Sequence, residues 1–139
     1  MVDRATHYVA SGSINLGSGA LQARLKLLLQ GMDQLLNTYA PDEVAIEQVF
    51  VAKNPRSALT LGQARGVIIA AVLDHDLGLF EYAPRSVKQA VVGTGKANKE
   101  QVQHMVQVLL ELSARPQVDA ADALAIALCH VNTGTLQTH

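Results

Sequence analysis

With 139 residues, 49% of them apolar and 17% charged, and a formal net charge of −1, the chain is sized for one folded domain with a substantial core. Those values exclude a disordered chain and a polycation. The single cysteine, Cys129, excludes an internal disulfide and a cysteine-based zinc site, and its apolar neighbours fit small core filler in a reducing cytoplasm.

In chain order, residues 6–16 alternate loosely and are β-rich, which predicts a strand broken by Gly17-Ser18-Gly19. Residues 20–39 predict an amphipathic helix, with Leu21, Leu25, Leu28, Met32, Leu35 and Leu36 at spacings of three and four. Pro41-Asp42 ends it, and residues 43–51 predict a strand. Asn54-Pro55 opens a helix with a body over 57–73, rich in small residues (Ala58, Gly62, Ala64, Gly66, Ala70, Ala71). Such a face suits close approach of another element, either the sheet or the same helix of a second subunit. Residues 79–83 predict a short strand and 85–92 a short helix after Pro84. Asn98, with Gln101 three residues on, caps a helix over 99–112. Pro116 precedes a helix from Asp119, and the polar residues 132–139 are expected to be a disordered tail. Strands alternating with helices predict an α/β fold over residues 1–139 as a single domain. There is no signal-peptide pattern and no apolar run of membrane-spanning length, so a cytoplasmic location is expected.

Within the strand E-V-A-I-E-Q-V-F-V, Glu47 is a carboxylate set among β-branched and apolar residues. Burying it alone would be costly, so it sits at a solvated strand end, pairs with a cation, or binds metal. Asp119 and Asp122 lie at i, i+3 in an alanine-rich helix, roughly 5–6 Å apart at Cβ on one face. Acids in a first turn are favoured by the helix dipole, which explains that pair without a ligand. Brought together with Glu47, the same pair makes a hard-oxygen site for Mg²⁺ or Mn²⁺. Charge is uneven: from Lys53 to Lys99 seven bases face three acids, while the remainder carries four bases and nine acids. That window holds Lys53, Arg56, Arg85, Lys88, Lys96 and Lys99, and fits a basic face for a polyanion or a solvated surface. Gly93-Thr94-Gly95-Lys96 lacks the full phosphate-loop pattern, although Lys96 and Lys99 flank a helix start where a nucleic-acid phosphate could rest. Phe50 is core filler or, beside a metal site, a platform for an unpaired base. The five histidines show no metal spacing, and each is read as satisfied or solvated.

The segments R-L-K-L-L (24–28), A-I-E-Q-V-F-V-A-K-N (45–54), S-A-L-x-L-G-Q-A-R-G-V (57–67), V-K-Q-x-V-V-G-x-G (87–95), K-x-Q-V-Q-H-M-V (99–106) and D-A-A-D-A-L-A-I-A (119–127) closely resemble the RuvC family of bacterial Holliday junction resolvases. The likeness covers nearly the whole chain. It implies a ribonuclease H-like fold, a mixed central sheet flanked by helices, and Mg²⁺-dependent hydrolysis (Mn²⁺ as a possible substitute) of two opposed strands of a four-way DNA junction. It also implies a homodimer built on the helix over 57–73 and cooperation with the RuvA–RuvB branch-migration complex. On this resemblance Glu47, Asp119 and Asp122 hold metal, and Phe50 contacts junction bases. Lys88 and Lys99 lie near the scissile phosphate, while Lys53, Arg56, Arg85 and Lys96 are further candidate DNA contacts.

The family's fourth acid ends a first strand, in a G-I-D-P-G-S context followed by a second strand. That segment has no counterpart here: the first strand and most of the second are expected to be missing, and Asp3 is a poor replacement. An alternative expectation is therefore a truncated, non-catalytic copy that only dimerises or binds branched DNA.

Overall fold

The computed structural model describes residues 6–48 and 54–137, and residues 6–20 of these form neither helix nor strand. The strand expected over 6–16 is not formed, because a strand is held by a ladder to a neighbour and no described residue pairs with this segment. Helix α1 (Leu21–Tyr39) buries Leu28 and Leu36 and ends on Ala40, whose left-handed φ of 43° lets its N–H reach the Leu36 carbonyl. Strand β1 (Glu43–Glu47) follows. Helix α2 (Pro55–Asp74) starts on Asn54, whose side chain accepts from the Ser57 N–H at 2.9 Å, with Pro55 in its first turn. Strand β2 (Gly78–Tyr82) runs parallel to β1 in a two-stranded sheet. Three helices complete the chain: α3 (Pro84–Val92), α4 (Lys99–Leu109) and α5 (Val118–Gln137). The predicted capping box closes both ways: the Asn98 side chain accepts from the Gln101 N–H, and the Gln101 side chain accepts from the Asn98 N–H, each at 2.8 Å. Helix α5 continues to Gln137, where a disordered polar tail was expected from residue 132. Its backbone ladder carries the helix on after the apolar stretch stops.

The contacts divide into two compact units, with the boundary falling inside both strands. In one unit (Ile14–Val44 and Val49–Phe80) α1 packs on α2, and Leu36, Ala71 and Val72 form the centre. A Cβ on Gly31 would lie 2.8 Å from Ile14 Cγ2, so the bare glycine lets Ile14 rest on α1. The other unit (Met1–Ser13, Ala45–Gln48 and Glu81–His139) is built on α3, α4 and α5. Its core joins Val87 and Val91, Val102 and Val106, and Ala125, Leu128 and Cys129. On α5 the buried positions Ala121, Ala125, Leu128 and Cys129 recur at four and three residues, giving a single inward stripe. Cys129 is core filler as expected, with burial pushing its thiol pKa up and so keeping it protonated.

Candidate active site

All the groups that line the candidate site belong to the second of these units. Glu47 is the last residue of β1, so the strand delivers its carboxylate where the ladder ends. Lys88 projects from the middle of α3, and Lys99 is the first residue of α4, held by the Asn98 cap. Asp122 sits one turn into α5. These four side chains line one cavity of about 160 Å³, walled by apolar residues that include Val87, Val102 and Ile126. At about 30 Å³ of liquid per water, that is room for roughly five waters.

The electrostatics follow from this crowding. Burial is the main cause that raises the Glu47 pKa above the ordinary carboxylate value; the Asp122 charge adds to it and Lys88 opposes it. Burial likewise raises Asp122, which is opposed by Lys99 and Lys88 and reinforced by Asp119. Asp122 thus disfavours the charge on Glu47 and Asp119 that on Asp122, a repulsion that the two lysines oppose and that a divalent cation would also relieve. Asp119, in the first turn of α5, is exposed and acts on Asp122 without lining the cavity. Among the described residues, no three His, Cys, Asp or Glu side chains are close enough together to hold a metal ion. The donor set at the cavity is thus two carboxylates beside two lysines.

A profile of the family described as crossover junction endodeoxyribonuclease RuvC matches residues 2–130. The chain belongs to the RuvC family. It is 57% identical over 136 residues to the RuvC of Serratia proteamaculans, covering 96% of this chain and 79% of that relative. It is 55% identical over 130 residues to the RuvC of Vibrio vulnificus, covering 94% and 75%. Among solved structures it resembles Thermus thermophilus RuvC in complex with a Holliday junction substrate, at a TM-score of 0.82 and 32% identity over 86% of this chain and 73% of that one. The fold is therefore ribonuclease H-like, as the α/β pattern and the family resemblance lead one to expect.

Around this cavity of the RuvC-family chain the remaining bases are spread more widely. Lys96 is exposed in the loop between α3 and α4, and Arg85 is exposed in the first turn of α3. The Arg85 side chain lies over Gly95: a Cβ there would come within 2.5 Å of Arg85 Cγ. Arg56 is exposed in the first turn of α2, in the other unit. Phe50 and Lys53 lie outside the described residues. Two groups were not singled out as functional in the sequence: Tyr82 at the end of β2 and His130 on α5, which are hydrogen-bonded to each other. The spacing Asp122, Ile126, His130 would have put that histidine on the same side of α5 as the acid.

Proposed function

We propose that this chain resolves four-way DNA junctions by divalent-metal-dependent hydrolysis of phosphodiester bonds in two opposed strands. The observation that carries this reading is the cavity that holds Glu47 and Asp122 against Lys88 and Lys99. Glu47 and Asp122 would hold Mg²⁺, or Mn²⁺ in its place, with Asp119 one turn away as a further oxygen donor. Mg²⁺ keeps several waters and is commonly held by one or two carboxylates plus substrate phosphates, which suits a two-carboxylate cavity. When bound, the metal supplies Lewis-acid activation of water and stabilisation of the leaving 3′ oxygen. Lys99 and Lys88 offset the negative charge that grows on the phosphate. Arg85 and Lys96 fit contacts to the flanking backbone, which position the junction without reading its sequence.

Cutting two opposed strands asks for two such sites, and α2 offers a surface for pairing. Leu59, Gly62, Gly66, Ala70 and Leu73 recur at helical spacing, and all five are exposed. On length and hydropathy alone α2 would also suit a membrane. Arg65 near its middle, and the burial of Ala71 and Val72 in the unit's own core, favour a second copy of the chain as the partner. The RuvA–RuvB complex is proposed as the partner that delivers the junction.

The test is cleavage of a synthetic four-way junction by the purified chain with Mg²⁺, beside Glu47→Gln and Asp122→Asn. Paired incisions lost in both variants support the assignment. Junction binding without incision would favour the second reading, a chain that binds branched DNA but does not cut it, for which the two-carboxylate donor set speaks. Incision that survives both substitutions would refute the site.

A further inference from the structure

Tyr82 ends β2 and holds two things at once. Its backbone carbonyl accepts the N–H of Gln48, the residue directly after Glu47, at 2.8 Å. Its hydroxyl meets Nδ1 of His130 at 2.5 Å, with the two rings tilted at 53° and their centroids 5.7 Å apart. With the imidazole neutral and protonated on Nε2, the phenol donates this bond. His130 stands on α5 beyond Asp122, about 12 Å along the axis at about 1.5 Å per residue. Asp119, Asp122, Ile126 and His130, at i, i+3, i+7 and i+11, share one face of that helix. A single tyrosine therefore ties the end of the strand that carries Glu47 to the helix that carries Asp122.

We infer that the Tyr82–His130 pair sets the separation of Glu47 and Asp122, and with it the affinity of the cavity for a divalent cation. The inference rests on the proposed role of those two carboxylates. Glu47 occupies the last position of β1 in a two-stranded sheet, and the Gln48 N–H to Tyr82 carbonyl bond is the ladder contact directly after it. Helix α5 is seated mainly through Ala121, Ala125, Leu128 and Cys129, and apolar packing is non-directional, so it tolerates small sliding or rotation of the helix. The bond from Tyr82 to His130 is directional, and it removes that freedom. Metal sites are sensitive to this: losing a group that orients a ligand typically costs 10–100-fold in affinity or activity. Tyr82 and His130 are positioning residues on this account. Neither lines the cavity.

The experiment measures Mn²⁺ binding by electron paramagnetic resonance in the full chain, with Tyr82→Phe, His130→Leu, His130→Asn and Glu47→Gln. Amide hydrogen exchange of the metal-free proteins is read alongside. Tyr82→Phe and His130→Leu are expected to weaken Mn²⁺ binding on the order of 10-fold, with the double variant no weaker than either single. His130→Asn, which offers an acceptor in place of Nδ1, is expected to bind as the wild type does. The Gln48 and Asp122 amides are expected to exchange faster in Tyr82→Phe while the melting temperature stays close to wild type. Wild-type Mn²⁺ affinity in Tyr82→Phe, or a loss that tracks falling melting temperature and is not spared in His130→Asn, overturns the inference. Unchanged binding in Glu47→Gln refutes the metal role of the carboxylates instead. In that event the exchange data still judge the tie, and unchanged Gln48 and Asp122 exchange in Tyr82→Phe refutes it.

Discussion

Glu47 and Asp122 put a stability cost at the centre of the site. The folded chain holds the protons of both carboxyls more tightly than the unfolded chain does, since both pKa values are raised. Their contribution thus favours folding below the ordinary carboxylate range, near about pH 4, and is lost as pH rises through the raised folded values. Above the raised values the ionised groups oppose folding. Glu47→Gln and Asp122→Asn are accordingly expected to raise the metal-free melting temperature at pH 7, by no more than a few degrees because solvent screens both groups. The gain should vanish in acid, where the wild-type carboxyls are also neutral; a gain that persists there would implicate packing instead. The same variants should lose cleavage by more than the roughly 10- to 100-fold that removing a ligand's neighbour costs. Lys99 works in the opposite direction, since its charge lowers the Asp122 pKa. Lys99→Met is expected to cut cleavage on the order of 10²-fold, with a smaller loss of junction affinity and an acid limb of the pH profile moved upward. Equal losses in binding and cutting would reject its position at the scissile phosphate.

Element by element, the cap of α4 decides where Lys99 stands. Lys99 is the first residue of α4, and the Asn98–Gln101 box satisfies two backbone donors that the helix start would otherwise leave open. Asn98→Ala is expected to cost about 1 kcal/mol, read as a lower melting temperature, and to reduce cleavage further because the turn that aims Lys99 is loosened. A melting change with unaltered cleavage would separate the cap from the site. These local signals were legible in the sequence: Asn54-Pro55, Pro84 and Asn98 each open a helix where their chemistry demands it. The strands β1 and β2 were legible too, from β-branched and aromatic residues bounded by Pro and Gly. What composition could not show was partnership. Residues 6–16 have the composition of a strand but no ladder partner among the described residues, and α5 runs on through polar residues that gave no helical stripe. At the site, Glu47 and Asp122 stood out as acids in apolar surroundings. The Tyr82–His130 bond did not, because it joins positions 48 residues apart and both side chains are ordinary core-edge residues.

For the whole molecule the decisive question is pairing, since on the proposed function one cavity would cut one strand. Gly62 and Gly66 lie on the open face of α2 with nothing within 4 Å of where a Cβ would be, flanked by Leu59 at 65% and Leu73 at 57% exposure. In an isolated chain that face is a weakness: each glycine costs a helix interior roughly 0.8–1 kcal/mol relative to alanine, and the leucines stay wet. In a symmetric dimer the same glycines let two backbones approach, and burying each leucine is worth about 1.5–3 kcal/mol. The two cases predict different outcomes for Gly66→Leu. A monomer should gain helix propensity and melt higher, with unchanged activity. A dimer built on this face should fall apart on sedimentation, while each released chain keeps or improves its own fold. Supercoiled plasmid carrying an extruded cruciform then reads the consequence: coupled sites cut both strands and yield linear DNA, and uncoupled sites yield nicked circles. We expect the wild type to sediment as a dimer and linearise the plasmid, and Gly66→Leu to sediment as a monomer and leave nicked circles. A wild type that linearises the plasmid while sedimenting as a monomer on and off the junction would exclude α2 as the pairing surface.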